Sequence, residues 1–406
     1  MTPAPSIAAP AALGDALRLI GARALRGCID GAVSVLLASY LAHLGLRPAA
    51  VGTIVAGTLL GSGVLTLVVG LSAHRFSLRR LLILTGLLMA FTGLCYASLS
   101  GFAILLVIAV IGTLNPSAGD VSVFLPLEQA LLAGAAQSST ERTSLFARYN
   151  VAGAFAGALG SLGAAVPALA AGWLGASLLD AERGVFLVYA AIGLLLANLY
   201  RGLADRPAAR DERRPLARSR ARVIRLALLF SLDSFGGGFV VQSLLALWLL
   251  RRFDLSLATA STFFFGAALA GALSQFLSPR LAGRIGLIPT MVFTHIPANL
   301  FLIAAAFMPN LGLTLTFLLL RACLSSMDVP ARQAYVMAVV PPEERAAASS
   351  VTNVPRSLAT ALSSAATGLL LEWSDFGWPL ILAGGLKITY DLLLLAQFRS
   401  VHPEAS

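Results

Sequence analysis

The chain has 406 residues, 58% of them hydrophobic and only 12% charged, with a mean hydropathy of +0.84. Soluble domains carry about 25% charged residues, so a soluble fold is excluded and lipid must solvate most of the surface. The net charge of +10 is almost wholly arginine, with Lys387 the sole lysine, and the arginines lie between apolar runs, as topology signals do rather than nucleic-acid surfaces.

Met1 to Gly14 are rich in Pro and Ala and read as a mobile tail without a cleavable signal peptide. Leu25-Arg26-Gly27-Cys28 fails as a lipoprotein cleavage site, because no apolar stretch precedes it and Arg26 intrudes. A spanning helix needs about 20 mostly apolar residues. Twelve runs qualify: 22–44, 49–72, 81–99, 102–134, 144–172, 185–201, 223–250, 258–279, 286–308, 310–339, 346–371 and 377–398. Several exceed the bilayer and must tilt or emerge from it. Cys28, Cys95 and Cys323 fall in or at these runs without metal-type spacing and read as reduced core residues.

Even-numbered connections hold Arg75, Arg79 and Arg80, then Arg142, the run from Arg201 to Arg225, Arg280 and Arg284, and Arg345. In odd-numbered ones Arg47, Arg183, Arg251 and Arg252 are offset by Asp180, Glu182, Asp254, Glu372 and Asp375. The even loops and both termini are therefore expected in the cytoplasm. Residues 201–222 (RGLADRPAARDERRPLARSRAR) read as a basic cytoplasmic linker between two six-helix units, 1–200 and 223–406. Its arginines enforce topology on one reading and touch anionic headgroups on the other.

The two units share a pattern. Pro126-Leu127-Glu128-Gln129-Ala130 parallels Pro330-Ala331-Arg332-Gln333-Ala334, 204 positions on. Glu141-Arg142 parallels Glu344-Arg345, Asn150-Val151 parallels Asn353-Val354, and Asp30 parallels Asp233, each 203 positions on. Polar identities in one register within apolar sequence indicate a duplicated helical unit. In a membrane that is the mark of a secondary transporter with its site at the repeat interface.

Three further segments point the same way. Gly70-Leu71-Ser72-Ala73-His74-Arg75-Phe76-Ser77-Leu78-Arg79-Arg80 follows a G-x-L-A-D-R-x-G-R-R loop signature, with His74 in place of the acid, and Pro279-Arg280-Leu281-Ala282-Gly283-Arg284-Ile285-Gly286 again lacks the acid. Asp328-Val329-Pro330-Ala331-Arg332-Gln333-Ala334 is followed by Pro341-Pro342-Glu343-Glu344-Arg345 and Asn353. In these residues the chain resembles the major facilitator superfamily, in particular the connection between helices 10 and 11 of prokaryotic members. Gly153, Gly157, Gly160, Gly163 and Pro167 partly match a motif of its proton-coupled exporters and equally fit close helix packing. The resemblance implies an all-α polytopic membrane protein, with twelve transmembrane helices in two pseudo-symmetric six-helix bundles and helices 1, 4, 7 and 10 lining a central cavity.

A charge in hydrocarbon needs a partner, water or a function. Arg26 and Asp30 lie four apart on one face of helix 1, and Asp233 repeats Asp30 in helix 7. These acids either bind a cation or coupling proton, or are neutralised, Asp30 by Arg26 and Asp233 by Arg225 or Arg321. Helix 4 holds Asp120 and Glu128; helix 10 holds Arg321, Asp328 and Arg332. The resemblance puts helix 4 near helix 11 and helix 10 near helix 5. Glu128 is then expected to pair with Arg356, and Arg332 to meet Glu141, as gate latches. Arg75, Arg142, Glu344 and Arg345 are the other gate candidates, and interfacial snorkelling is the alternative. Lys387 and Asp391, four apart, read as a buried structural pair. His295, Asn299, Gln242 and Gln275 are candidate cavity residues.

The chain shows no nucleotide-binding loop, metal-ligand cluster or nucleophile–base arrangement, so no enzyme activity and no cofactor are expected. The expected function is a secondary transporter of the bacterial inner membrane, working by alternating access and exporting a small solute by proton antiport. The alternative is uptake, by symport or facilitated diffusion, of an anionic metabolite drawn to Arg26, Arg321 or Arg356. A transport-dead sensor or scaffold is a third reading. The expected partners are the solute, protons and the bilayer, with no nucleic acid, and the expected state is a monomer.

Overall fold

The computed structural model describes residues 10–72, 76–117, 122–135, 139–205, 219–340 and 345–398. The apolar runs fold as helices because hydrocarbon offers a backbone no partners outside its own segment. The first half holds α1 (Pro10–His43), α2 (Pro48–Ser72), α3 (Leu78–Ser98), α4 (Phe102–Ile111), α5 (Phe124–Ala135), α6 (Ser139–Gly163), α7 (Val166–Leu174) and α8 (Leu178–Arg201). The second holds α9 (Arg220–Gly238), α10 (Gln242–Phe253), α11 (Leu257–Gln275), α12 (Ser278–Ile285), α13 (Leu287–Phe307), α14 (Leu311–Ser325), α15 (Asp328–Val339), α16 (Arg345–Trp373) and α17 (Trp378–Phe398). The pairs α4–α5, α6–α7, α9–α10 and α14–α15 are interrupted spans, and α12 is a short amphipathic helix after α11. Among the described residues ten spans are long and apolar enough to cross a membrane, and with the α4–α5 pair and α16 the whole is twelve membrane crossings in two bundles of six.

Three runs expected to be continuous helices are broken near the middle. In 102–134 the helix stops at Ile111 and resumes at Phe124. In 223–250 it stops after Gly236-Gly237-Gly238, where poor helix propensity accumulates, and resumes at Gln242. In 310–339 it stops at Ser325 and resumes at Asp328. The run 144–172 also breaks, with Pro167 in the first turn of α7, where its missing N–H costs nothing. At the start, α1 begins at Pro10, well before the expected 22, and so takes in part of the presumed tail. Asp15 accepts from the Ala204 N–H at 3.3 Å and Arg18 donates to the Gly202 carbonyl, which docks these extra turns on the end of α8.

α16 spans 29 residues yet is absent from the helices with clear membrane hydropathy. Its hydroxyls explain this. Ser364 donates to the Gly238 carbonyl at 2.9 Å, Thr367 to Phe239 at 3.2 Å and Thr360 to Ser234 at 3.2 Å. Gly238 ends α9 and Phe239 follows it, so two of these carbonyls lie where the helix itself supplies no partner. Polar residues that lower the hydropathy of α16 thus stabilise the break beside it.

Two crossings depend on glycine. A Cβ on Gly27 of α1 would stand 2.8 Å from the Gly153 carbonyl oxygen of α6, and one on Gly52 of α2 would stand 2.6 Å from the Cα of Gly368 on α16. Gly157 and Gly160 also face α1 backbone, at Gly31 and Cys28. The glycines of the fifth span therefore serve close packing, as small residues do between membrane helices.

Candidate functional site

In the first half, one buried carboxylate gathers three donors. Glu128, fully buried on α5, accepts from Arg26 Nη2 at 2.9 Å and from the Tyr149 and Tyr200 hydroxyls at 2.5 Å each. The Arg26 guanidinium also lies over the Phe124 ring, 4.5 Å from its centroid. The cluster ties α1, α5, α6 and α8 together. Asp30, one turn along α1, is buried with Oδ1 lacking a hydrogen-bond partner, and Arg26, Arg23 and Asn115 are its polar neighbours.

In the second half, Asp233 takes the central place. Its Oδ1 accepts from Lys387 Nζ of α17 at 2.6 Å and its Oδ2 from Arg332 Nη1 of α15 at 3.0 Å. Arg332 also pairs with Asp328 at 3.6 Å. His295 of α13 sits between two acids, with Nδ1 3.0 Å from Asp391 and Nε2 3.9 Å from Asp233. Arg356 of α16 donates from Nε to Ser234 at 3.0 Å. Each half thus joins its first span to its fourth by one buried ion pair, although not through repeat mates, since Asp30 and not Arg26 is the counterpart of Asp233. The first span's arginine meets the fourth span's acid in one half, Arg26 with Glu128, and the seventh span's acid meets the tenth span's arginine in the other, Asp233 with Arg332.

Beside Asp233 lies a cavity of about 470 Å³. The helix breaks build it: Ser117 from the α4–α5 connection, Gly237, Val240 and Gln242 from the α9–α10 break, and Ser325 and Ser326 from the α14–α15 break all line it. Two of the breaks touch, since the Ser243 N–H donates to the Pro116 carbonyl at 3.2 Å. Irregular backbone at membrane depth is tolerated where it lines a cavity, and broken helices mark transporter sites. The charged residues lining it among those described are Asp233, Arg321, Arg356 and Lys387, three cations against one acid. Arg321 Nε and Gln242 Nε2 are buried donors without an acceptor. A site with surplus cations and unsatisfied donors suits a solute that brings negative charge and acceptor atoms.

Several expected partnerships are replaced. Glu128 and Arg356 are not joined; Glu128 takes its donors from its own half, and Arg356 donates to Ser234. Arg332 meets Asp233 and Asp328 rather than Glu141. Lys387 bonds Asp233 instead of Asp391, which bonds His295, so the assumed helix 12 pair is split between two other residues. Asp233 is held by Lys387 and Arg332 rather than Arg225, and Arg321 reaches it only as a more distant charge. Gln275 is exposed, while Asn299 is buried with Nδ2 unpaired and lies outside the cavity lining. Glu141 is half-buried and Arg142 exposed. Asp120, Arg75 and Glu344 lie outside the described residues, as does the Arg345 side chain. No group of three or more His, Cys, Asp or Glu among the described residues is placed to hold a metal.

Sequence reasoning missed Tyr149 and Tyr200, whose hydroxyls have no pattern, and Asp205. Asp205 pairs with Arg79 at 3.6 Å and accepts from Ser77. Its signal was present: Leu203-Ala204-Asp205-Arg206 carries the L-A-D-R of the loop signature, with the acid that His74 lacks.

Comparisons with known proteins agree with this architecture. The family model described as Major Facilitator Superfamily matches residues 19–326 and again 226–406. An uncharacterized membrane protein of Saccharomyces cerevisiae is 25% identical over 408 residues, covering 91% of each chain. Among solved structures, the nucleoside transporter NupG superposes with a TM-score of 0.72 at 14% identity, covering 95% of this chain and 99% of that one. A D-xylose-proton symporter gives 0.75 at 15% identity, covering 95% and 97%. A bacterial homolog of the human lysosomal transporter Spinster, inward-facing and unoccupied, gives 0.71 at 16% identity, covering 95% and 96%. At these identities the structures share the fold alone.

Proposed function

Because the chain belongs to the major facilitator superfamily, and so is a multi-pass membrane transporter of a small solute, we propose that the solute is an organic anion carried together with a proton. The observation that carries this reading is the cavity, where Arg321, Arg356 and Lys387 face one acid, Asp233. Two bundles, residues 1–200 and 223–406, joined by the linker 201–222, rock about this site, as a monomer with both termini in the cytoplasm of a bacterial cell.

The coupling follows from charge. An anion seated on Arg321 and Arg356 puts a second negative charge beside the Asp233 carboxylate, and a proton on Asp233 removes that repulsion. Anion and proton therefore favour each other's binding, and the linkage is reciprocal. Co-binding is the requirement for symport, and an inward proton gradient then drives uptake. Lys387 and Arg332 hold Asp233 when the site is empty, while His295 and Asp391 extend the network into the α13–α17 contact.

Export by proton antiport is the second reading. It is favoured by Asp30, whose unpaired Oδ1 in the other half, beside Arg26 and Arg23, offers a proton site apart from Arg321, Arg356 and Lys387. The two readings differ in sign. In proteoliposomes containing a pH-sensitive dye, adding a transported anion without an imposed gradient should acidify the lumen under symport. Asp233→Asn should abolish the acidification and leave anion exchange intact, and Arg321→Gln should reduce both. Alkalinisation of the lumen on anion entry would establish antiport instead.

A further inference from the structure

We propose that the transported anion is amphipathic, a monocarboxylate whose aromatic or similarly compact apolar body lies on the α10–α11 wall while its carboxylate meets Arg321 and Arg356. The proposal rests on the anion reading above and adds the chemical class of the solute.

The walls of the cavity are unequal. Its charged groups all come from α9, α14, α16 and α17: Asp233, Arg321, Arg356 and Lys387. α10 and α11 contribute Leu245, Phe263, Phe264 and Ala267, with Gln242 as their one polar side chain. The Phe263 and Phe264 rings meet edge to face, with centroids 5.1 Å apart, so one aromatic surface is already fixed before a solute arrives. A sugar or a dicarboxylate would press hydroxyls or a second carboxylate against this wall, where only Gln242 could answer them. Burying unanswered polar groups is unfavourable, and burying an unpaired charge more so. An apolar ring loses nothing there and gains contact with two aromatic side chains.

The cations also fit one carboxylate. Lys387 is bound to Asp233. Arg321 makes no hydrogen bond or ion pair among the described residues, and Arg356 donates from Nε to Ser234. Two guanidiniums suit a single planar carboxylate, which accepts several donors at once. An ether or carbonyl oxygen on the body of the solute would take the free Gln242 amide. A cavity of about 470 Å³ falls in the range of small-molecule pockets, roughly 300–1,000 Å³.

The test is calorimetric titration of the full-length protein in lipid nanodiscs, corrected with empty nanodiscs, using 4-phenylbutyrate, its primary amide and succinate as probes. The acid should bind at least tenfold more tightly than either of the others. Arg321→Gln should bring acid and amide within about threefold of each other, which is under 1 kcal/mol. Phe264→Leu should weaken 4-phenylbutyrate at least fivefold. Since Phe264 is buried, the half-buried Phe263→Leu is the second variant. It should weaken the same probe without changing the melting temperature of the ligand-free protein. Succinate binding as tightly as 4-phenylbutyrate would overturn the amphipathic class and leave the anion reading standing. Equal binding of acid and amide to the unmodified protein, or no binding of any probe, would overturn both.

Discussion

Glu128 accepts from Arg26, Tyr149 and Tyr200 while fully buried, so its removal strands a guanidinium that is itself 1% exposed. Breaking a buried pair from one side typically costs about 3–5 kcal/mol, whereas replacing both partners by apolar groups is often neutral. Glu128→Ala should therefore lower the stability of the purified protein by that order, read as a drop in its thermal unfolding temperature in detergent. Arg26→Met with Glu128→Leu should recover most of the loss. A single variant as stable as the parent would contradict a structural role for this pair. The same geometry bears on the expected Glu128–Arg356 latch. Glu128 already has three donors within its own bundle and is not joined to Arg356 in this conformation. That distinction was not legible in the sequence. The positions 26, 128, 149 and 200 are brought together only by packing, and tyrosine hydroxyls follow no periodicity. What was legible was the repeat itself, which singled out Asp30, Glu128, Asp233 and Arg332 as polar positions kept in register; three of these four centre the two buried networks.

Two of the breaks that shape the cavity had no decisive signal at the level of elements. The Gly236-Gly237-Gly238 run hints at one, but glycine is common within continuous membrane helices. The Ser326-Met327 step contains no breaker at all. The number of spans was legible, because hydrocarbon thickness fixes run length; their continuity depends on neighbours, such as the α16 hydroxyls that satisfy the end of α9. Neighbouring elements also close one end of the molecule. Arg47, just before α2, pairs with Glu372 at the end of α16 at 3.1 Å, and the Ala49 N–H donates to Glu372 at 3.2 Å. Arg47 is 82% exposed, so the ion pair itself contributes at most about 1 kcal/mol. Its loss alone should change transport little. Fixing the contact should change it greatly. In a background with Cys28, Cys95 and Cys323 replaced by Ser, a reducible bifunctional thiol cross-linker joining Arg47→Cys to Glu372→Cys should stop transport, and reductant should restore it. Unimpaired transport by the cross-linked protein would show that this end does not open.

At the scale of the whole molecule, the two halves each tie their first span to their fourth by a buried ion pair, but through positions that are not repeat mates: Asp30, the counterpart of Asp233, stands outside the first pair. In the first half the pair is Arg26–Glu128, sealed by two tyrosines; in the second it is Asp233–Arg332, open to a cavity through Asp233. On the proposed reading the second bundle supplies the charged groups of the site, an asymmetry that an alternating-access carrier tolerates because only the relative tilt of the bundles must change. Alternating access requires that the cavity at the helix breaks face each side of the membrane in turn. The direct measurement is labelling of Ser326→Cys, in the same cysteine-free background, by a membrane-impermeant thiol reagent applied to right-side-out and inside-out vesicles. The account predicts reaction from both sides, and reaction from the linker side alone once Arg47→Cys and Glu372→Cys are cross-linked. Labelling from one side only, unchanged by the cross-link, would contradict it.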